Sequence, residues 1–315
     1  MPNVFITNIC NLRCKYCFAK AMLGHSDVQE MTLDEIIPIA DLIKKSEKPN
    51  DKNKYVISIL GGEPTLHSNF KGIIDYLIKD GFIIKLFTNG TFPAAIREYL
   101  KTLPSDAVNI ILNINKRSSY KTAEWEYLTA NLKELNGIVT LGFTIFEKNF
   151  NYGTIINYIK KYKLKTEVRL GISMPIVNAD NKYVKYGECK AIAKRIVEFS
   201  RDAFAKDIIL GFDCGFIICM FSRADLGKLQ KNNVRINFLC DGAIDIGKNG
   251  RVWRCFPLHN IHNTSLSKFS SVLGIKDHYK SVLPKKEKGI SGACGKCNYY
   301  GRNICSGGCY GFEFK

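Results

Sequence analysis

The stretch NVFITNICNLRCKYC, residues 3–17, joins a short apolar run directly to three closely spaced cysteines. Residues 3–7 are typical of a strand, and we predict that this strand leads straight into the cysteines. Cys10, Cys14 and Cys17 follow with the spacing Cys-x3-Cys-x2-Cys. The loop after a strand is where parallel α/β folds expose their chemistry, so this position favours a functional site.

Strand and helix patterns alternate outward from this stretch. Thr32 is the expected N-cap of the first helix. Strands are predicted at 55–60, 83–90, 108–115, 139–146 and 167–176, and helices at 33–46, 70–81, 93–102, 121–135, 151–162 and 185–206. About six such units imply an α/β fold with a parallel sheet and right-handed crossovers, open or closed toward a barrel.

The composition changes after the last predicted helix. From residue 207 onward the chain consists of short strand patterns and glycines, and it carries eight of the twelve cysteines. We therefore predict two domains, 1–206 and 207–315, with a boundary near residue 206.

Composition limits the class of protein. The 315 residues are 46% hydrophobic, enough for a sizeable core, and no apolar run of about 18 residues or signal peptide is found. We expect a cytoplasmic protein with no membrane contact. The net charge of +17 is spread along the chain without a nucleic-acid-binding motif, so we expect no nucleic acid. A solvated basic surface is the first interpretation, and attraction of an acidic peptide is the second.

The three N-terminal cysteines suit an iron-sulfur cluster. A reducing cytosol disfavours structural disulfides, which makes metal or cluster ligation the better explanation of the twelve cysteines. Three thiolates hold three irons of a 4Fe-4S cluster and leave the fourth iron open to a small molecule. A structural zinc ion needs a fourth protein ligand, and the nearest histidine is His25.

On these residues the chain resembles the radical SAM superfamily, in which an aromatic residue precedes the third cysteine, here Tyr16. The resemblance implies a partial (β/α)6 barrel of radical SAM type. It also implies that the open iron binds S-adenosylmethionine, which one electron cleaves to a 5'-deoxyadenosyl radical that takes a substrate hydrogen. Gly61, Gly62, Glu63 and Pro64 follow the second strand as a further family motif for the cosubstrate, although the same residues also suit an ordinary turn.

Three more residues are candidates for the cosubstrate site. By resemblance the fourth strand supplies ribose ligands, and Asn113 and Asn115 project from one face of LNIN. Arg169, in the sixth strand, presents a planar donor fork that suits the methionine carboxylate. Each of the three also suits a purely structural hydrogen bond.

The C-terminal cysteines resemble a SPASM domain, the module that binds auxiliary 4Fe-4S clusters in part of the superfamily. Its ligands here are Cys240, Cys255, Cys294, Cys297, Cys305 and Cys309. The chain departs from the pattern because seven residues, not five, separate the middle pair, and a seventh cysteine downstream is missing.

Cys214 and Cys219 bring the total to eight, enough for two auxiliary clusters in addition to the radical SAM cluster. Which cluster each of them joins stays open at this point. A twitch-like module with one cluster, a second cluster with an open iron and a pair of zinc ribbons are the alternatives. Cys189 lies on an apolar helix face and is expected to have no cysteine neighbour, so we expect a core residue.

The resemblance defines the radical chemistry better than the substrate. Maturation of a ribosomally made precursor peptide, by crosslinking or side-chain oxidation, is the first hypothesis. A small-molecule dehydrogenase or mutase and a non-enzymatic cluster-binding regulator are the alternatives. An external one-electron reductant of flavodoxin or ferredoxin type is the expected partner.

Two sequence features refine this hypothesis. Cys255 lacks the following Asp that serves as base in sulfatase-maturating relatives, so that activity is disfavoured, and His259 or Asp241 would replace it only by conjecture. Nine residues precede Cys10, too few for an N-terminal peptide-recognition domain. A leader peptide would then bind the barrel surface or a separate protein.

Overall fold

The computed structural model describes residues 2–23, 27–283 and 289–314, so His25 lies outside the described residues. Within these ranges the chain contains ten strands, nine α-helices and several short 3-10 turns. No helix among the described residues combines the length and apolar character needed to cross a bilayer.

The ten strands are β1 (Asn3–Phe5), β2 (Tyr55–Leu60), β3 (Phe82–Thr88), β4 (Val108–Asn113), β5 (Val139–Ile145), β6 (Glu167–Ile172), β7 (Ile209–Phe212), β8 (Asp245–Gly247), β9 (Arg251–Trp253) and β10 (Thr264–Ser265). The helices are α1 (Leu33–Ser46), α2 (Phe70–Lys79), α3 (Ala94–Thr102), α4 (Thr122–Glu134), α5 (Gly153–Tyr162), α6 (Cys189–Phe204), α7 (Arg223–Lys231), α8 (Val272–Val282) and α9 (Asn298–Gly301). All the strands and helices predicted up to residue 206 are confirmed, with ends that shift by a few residues.

The first helix illustrates why the elements begin where they do. Thr32 caps α1, since its hydroxyl accepts a hydrogen bond from the Glu35 N–H and the Glu35 carboxylate accepts one from the Thr32 N–H. This reciprocal pair satisfies donors that the helix start otherwise leaves open. The predicted N-cap is therefore confirmed.

The described chain divides into two compact units that interleave in sequence. The first contains the described residues of Met1–Cys14, Ala19–Val139 and Gly242–Pro284, and the second those of Lys15–Phe18, Thr140–Asp241 and Lys285–Lys315. Because each unit combines separate stretches, this division does not test the domain boundary near residue 206, which stays a prediction.

In the first unit, strands β1 to β4 lie side by side and run parallel, as the βα alternation predicts. On the other side of β1 the parallel strand β8 follows, and β9 and β10 continue antiparallel from it. Along β3 and β4 buried residues alternate with half-buried ones. One face of these strands is therefore fully packed, while the other is partly open.

In the second unit, β5, β6 and β7 also pair in parallel. Aromatic side chains pack beyond the end of β7. The Phe212 and Phe216 rings stack with centroids 3.9 Å apart, and Phe221 lies 5.8 Å from Phe212 on the same side. Such packing fixes the backbone between residues 212 and 221, where two of the cysteines lie.

The region after residue 206 is more helical than its composition indicates. Helices α7 and α8 lie there, although only short strands and glycines are expected from the sequence. Ser222 and Ser271 cap these helices by accepting a hydrogen bond from the N–H of Asp225 and Gly274. A search for a serine cap before apolar spacing would have found both helices.

Candidate active site and auxiliary cysteines

The loop that carries Cys10 pairs with the glycine motif through the backbone. The Gly62 N–H donates to the Thr7 carbonyl at 2.8 Å, and the Glu63 N–H donates to the Ile9 carbonyl at 2.7 Å. A Cβ on Gly61 would lie 2.7 Å from the Thr7 oxygen, and one on Gly62 would lie 2.8 Å from the Cys10 Cβ. These two glycines therefore permit close approach of the cysteine loop itself.

Glu63 is a buried residue whose carboxylate contacts protein groups. Its side chain is 1% exposed. Oε1 accepts hydrogen bonds from the Thr65 N–H, the Thr65 hydroxyl and the Thr88 hydroxyl, and Oε2 accepts one from the Asn89 N–H at 2.7 Å. Burial raises the pKa of the Glu63 carboxyl, while these hydrogen bonds oppose the shift. The carboxylate thus holds the loop after β3 against the glycine motif. A direct contact between Glu63 and the cosubstrate stays a prediction.

Pro64, the last residue of the glycine motif, begins the turn that follows this motif. It is buried and occupies the first position of the 3-10 turn Pro64–Leu66, where a missing N–H costs nothing.

A hydrogen-bond network that the sequence analysis missed lies beside Cys10. The Asn11 amide donates to the Thr91 hydroxyl at 2.7 Å, and the Asn89 amide donates to the Asn11 side-chain oxygen at 2.9 Å. Asn89 in turn accepts from the Thr91 hydroxyl at 2.6 Å. Asn89 and Thr91 belong to TNGT, residues 88–91, at the carboxyl end of β3. Like the cysteines after β1, they follow the carboxyl end of a parallel strand, and this position could have identified them from sequence.

Cys10 and Cys14 lie near one another, both half-buried. The pKa of the Cys10 thiol is raised to about 11, mainly by burial and also by Glu63 and Cys14, while the Leu12 N–H hydrogen-bonded to it acts in the opposite direction. Thiols in such surroundings ionise readily when a metal supplies positive charge. Cys17 lies three residues beyond Cys14 in sequence but belongs to the second unit.

The two asparagines of the fourth strand share one face, as predicted. Leu112 and Ile114 are buried, while Asn113 and Asn115 are half-buried. The Asn115 amide nitrogen lies 3.5 Å from the Cys14 sulfur, and its backbone N–H donates to the Tyr120 hydroxyl at 2.8 Å. Asn115 therefore lies beside the cysteine triplet, and the contact with ribose stays a prediction for both asparagines.

The other two predicted cosubstrate residues lie in the second unit. The Tyr16 ring stacks on Phe146 with centroids 4.8 Å apart and an interplanar angle of 22°. Arg169, in β6, forms an ion pair with Asp213, which follows β7, with Nη2 and Oδ2 2.6 Å apart. A guanidinium has five N–H donors, so this pair leaves capacity for a second carboxylate. The proposed contact with the methionine carboxylate is untested.

The C-terminal cysteines of the second unit fall into two sets. In the first set, Cys214 lies near Cys240 and Cys309: burial raises the pKa of its thiol most, and Asp213, Cys240 and Cys309 raise it further. In the second set, Cys219 lies near Cys305 and Cys294, which raise its pKa after burial. Cys214 and Cys219 are both solvent-exposed, yet enough protein surrounds them to disfavour the free thiolates.

Two sulfurs of these sets already accept hydrogen bonds. The Gly307 N–H lies 3.4 Å from the Cys305 sulfur, and the Gly311 N–H lies 3.3 Å from the Cys309 sulfur. Such bonds stabilise thiolates and tune the potential of iron-sulfur clusters. Cys297 ends the turn Gly292–Lys296 that carries Cys294, and Cys255 belongs to the first unit.

Within the described ranges, no three or more His, Cys, Asp or Glu side chains are arranged to hold a single metal ion. A zinc ion requires sulfurs about 2.3 Å from itself, whereas a cluster spreads its ligands around several irons. The zinc-ribbon alternative gains no support from this arrangement. Eight cysteines, two of which accept a backbone N–H at sulfur, fit iron-sulfur ligation by their chemistry.

His259 and Cys189 are both buried. His259 is 3% exposed, its Nδ1 lies 3.1 Å from the Phe256 carbonyl, and burial lowers its pKa. Cys189 is 4% exposed on α6, as expected for a core residue. The expectation that it lacks a cysteine neighbour is wrong in space, because Cys219 lies near enough to raise its pKa. The aromatic packing after β7 turns the chain back toward α6.

Residues 4–161 match the family model of the radical SAM superfamily. Among curated proteins, a GTP 3',8-cyclase from Syntrophomonas wolfei is 28% identical over 192 residues, 55% of each chain. An S-adenosylmethionine-dependent nucleotide dehydratase from Selenomonas ruminantium is 38% identical over 89 residues, 28% of this chain and 29% of the relative. The chain thus spans about half or less of the length of these relatives.

Two solved structures share the fold over almost the whole chain. Streptococcus suis SuiB bound to the precursor peptide SuiA superposes with a TM-score of 0.67 at 15% identity, covering 98% of this chain and 71% of SuiB. Native anSMEcpe with bound AdoMet and the Kp18Cys peptide superposes with a TM-score of 0.65 at 16% identity, covering 98% and 89%. At these identities the likeness establishes the α/β fold with parallel strands.

Proposed function

This chain belongs to the radical SAM superfamily, and from that premise we propose that it oxidatively modifies a ribosomally made precursor peptide. Membership implies an enzyme that uses a 4Fe-4S cluster and S-adenosylmethionine. When bound, the cluster supplies the electron that cleaves S-adenosylmethionine to methionine and a 5'-deoxyadenosyl radical, which takes a hydrogen atom from the substrate.

The residues of the chain have distinct proposed tasks. Cys10, Cys14 and Cys17 hold the radical SAM cluster, and Asn115 donates to the Cys14 sulfur. Glu63 holds the loops of β2 and β3 in place by hydrogen bonds. The proposed cosubstrate ligands are Tyr16, Gly61, Gly62, Glu63, Pro64, Asn113, Asn115 and Arg169.

We propose that residues 207–315 form a SPASM-like domain with two auxiliary 4Fe-4S clusters, beside a catalytic domain of residues 1–206. The grouping of Cys214 and Cys219 with different partners supports two clusters over one. The proposed ligands are Cys214, Cys219, Cys240, Cys255, Cys294, Cys297, Cys305 and Cys309. Such clusters accept the electron that a substrate radical must lose for a net oxidation.

One observation carries the peptide hypothesis: the fold match to SuiB and anSMEcpe, both solved with a bound peptide, extends over 98% of this chain and so includes the cysteine-rich region. The net charge of +17 adds long-range attraction for an acidic leader segment. A small-molecule reaction on a nucleotide is the second candidate, because GTP 3',8-cyclases are among the relatives.

The decisive experiment compares two substrates under identical conditions. The enzyme is reconstituted anaerobically with iron and sulfide, supplied with a flavodoxin or ferredoxin type reductant, and incubated with GTP or with short peptides encoded beside its gene. Our hypothesis predicts that a peptide stimulates 5'-deoxyadenosine formation and loses about two mass units per modification. Stimulation by GTP alone would instead favour the nucleotide reaction.

Cys14→Ala and Cys189→Ala are a matched pair of variants for this assay. Cys14 is a triplet cysteine, whereas Cys189 is a buried helix residue. We expect 5'-deoxyadenosine formation to vanish only in Cys14→Ala. Absence of cleavage in the fully reconstituted wild type would favour a non-enzymatic regulator.

A further inference from the structure

The second auxiliary cysteine set contains three cysteines that lie close together in sequence, Cys294, Cys297 and Cys305. A cluster held by four thiolates needs one more cysteine. Cys214 and Cys219 are five residues apart, so sequence alone does not decide between them.

The segment between these two cysteines is anchored in the protein. Phe216 and Ile217 are 2% and 0% exposed. The Phe216 ring stacks on Phe212, and a Cβ on Gly308 would lie 3.4 Å from Ile217. With its middle buried, the segment presents the exposed Cys214 and Cys219 on either side of the anchor. The two cysteines consequently meet different neighbours.

Cys214 lies with the first set. The nearest other thiols that affect it are those of Cys240 and Cys309. Cys240 is tied to the loop that precedes Cys309, because its N–H donates to the Ser306 hydroxyl at 2.8 Å. The Ser306 N–H returns to the Phe238 carbonyl at 3.0 Å. These bonds keep Cys240 and Cys309 on neighbouring loops.

Cys219 lies with the second set. Its thiol neighbours are Cys305 and Cys294. The Tyr186 hydroxyl donates to the Cys219 sulfur and accepts from Ser291. The Ser291 hydroxyl also caps the turn that carries Cys294, where it accepts from the Ala293 N–H at 3.3 Å. Tyr186 thus links Cys219 to the turn that holds Cys294.

Cys294 is buried, and two glycines lie next to its sulfur. A Cβ on Gly289 would lie 2.8 Å from this sulfur, and one on Gly307 would lie 3.3 Å from it. Both glycines have positive φ angles of 58° and 63°. Glycine at these positions satisfies the backbone and keeps side chains away from the sulfur.

We propose that Cys219 is the fourth ligand of the second auxiliary cluster, with Cys294, Cys297 and Cys305, and that Cys214 belongs with Cys240 and Cys309. The fourth ligand of this cluster thereby comes from the turn after β7. Cys255 stays a prediction from the family resemblance as a ligand of the first auxiliary cluster. This assignment rests on the proposed auxiliary clusters and is independent of the substrate.

Cys189 is the competing candidate and provides the control. Cys189 lies near Cys219, but the residue is 4% exposed, and its thiol donates to the Lys185 carbonyl with the sulfur and oxygen 3.7 Å apart. This contact satisfies the thiol at the start of α6. We therefore expect Cys189→Ala to retain the full iron content.

The test counts iron in the anaerobically reconstituted full chain and records electron paramagnetic resonance spectra of the reduced protein. The wild type is expected to hold about twelve irons. Cys219→Ala and Cys294→Ala should each lose about four irons, and the variant that combines these two substitutions should lose no more iron than either alone. The variant that combines Cys214→Ala with Cys219→Ala should lose about eight irons.

Cys219→Asp and Cys214→Asp keep an anionic ligand and test the assignment without cluster loss. Each of these two variants is expected to alter the spectroscopic signal of one auxiliary cluster, and the two variants should affect different clusters. Cys219→Asp should alter the signal that Cys294→Asp alters. The proposal is overturned if Cys219→Asp and Cys214→Asp alter the signal of the same cluster. It is also overturned if the iron losses of Cys219→Ala and Cys294→Ala add in the double variant, or if Cys189→Ala loses iron and Cys219→Ala does not.

Iron counts and spectra need no substrate, so the outcome is separable from the proposed function. A wild type with about eight irons whose count does not change in Cys219→Ala also overturns the assignment. A chain that holds about twelve irons but acts on GTP retains the assignment and refutes only the peptide hypothesis.

Discussion

The side-chain amide of Asn115 lies 3.5 Å from the sulfur of Cys14, although the two residues are 101 positions apart in sequence. The contact exists because β4 places its carboxyl end in the same unit as the loop after β1. A donor to a cluster sulfur stabilises the more negative, reduced state. We therefore expect Asn115 to adjust the proposed radical SAM cluster, in addition to being a candidate cosubstrate ligand.

We expect Asn115→Leu to make the reduction potential of the radical SAM cluster more negative, because the sulfur of Cys14 loses a donor. The measurement is a redox titration followed by electron paramagnetic resonance. Asn109→Leu, on the same face of β4 but at its far end, is the control and should leave the potential unchanged. An equal shift in both variants would contradict the specific role of Asn115.

Gly62→Ala should lower the iron content by about four, because the new Cβ would overlap the Ile9 carbonyl and lie 2.8 Å from the Cys10 Cβ. The loop that carries Cys10 would then have to move. Iron analysis after reconstitution measures the effect. Gly137→Ala is the matched control, since a Cβ there has no neighbour within 4 Å. Full iron content in Gly62→Ala would show that the close approach is dispensable.

Glu63→Gln should destabilise the protein by about 1–3 kcal/mol, measured by chemical denaturation before reconstitution. The new amide group must face a donor, because Glu63 accepts from Thr65, Thr88 and Asn89 together. Glu30→Gln is the control, as Glu30 accepts from Ser68 alone at an exposed position. Equal losses in the two variants would mean that burial of Glu63 is not decisive.

Asp245 should make stability depend on pH. Its side chain is fully buried, and burial raises the pKa of its carboxyl to about 7, against a hydrogen bond from the Asn3 amide at 2.7 Å. The folded state therefore holds a proton more tightly than the unfolded state does. The stabilisation from this group is complete below about pH 4 and lost as the pH rises through about 7.

We expect the stability of wild type relative to Asp245→Asn to fall between pH 4 and pH 7 by an amount on the order of 4 kcal/mol. Denaturation curves across this range, recorded before reconstitution, measure the difference. Asp51→Asn, at an exposed turn, is the control and should show no such trend. A pH-independent difference between wild type and Asp245→Asn would refute the prediction.

Tyr186→Phe should shift the potential of one auxiliary cluster to a more negative value, because the Cys219 sulfur loses the hydroxyl donor. The iron content should stay unchanged, which separates tuning from ligation. Tyr299→Phe is the control, as Tyr299 is an exposed tyrosine of the same unit. A shift of the cluster to which Cys214→Asp responds would assign Tyr186 to the other set.

Local patterns predict the elements of this fold well. The βα alternation, the Thr32 cap and the position of the cysteines after β1 are all properties of short segments, and short segments are what periodicity describes. The triplet and the glycine motif were found for the same reason. Helices α7 and α8 were not predicted, although a serine cap marks the start of each.

Contacts between distant segments are harder to predict. The partners of Glu63 and the network around Asn89 depend on how β2 and β3 bring their ends together. The separation of Cys214 from Cys219 depends on burial of the two residues in the anchored segment between them. No spacing rule contains that information, since a five-residue interval fits either set.

The interleaving of the two compact units has a consequence for how the holoenzyme is made. The second unit takes four residues near the start of the chain and the stretch that holds Cys294 to Cys309. If the proposed ligand set is right, the second auxiliary site is complete only after Cys305 has been translated, more than 85 residues after Cys219. Cluster delivery to this site must therefore follow translation of that stretch. Until then Cys219 is an exposed thiol in a growing chain, and its protection from oxidation depends on the cell.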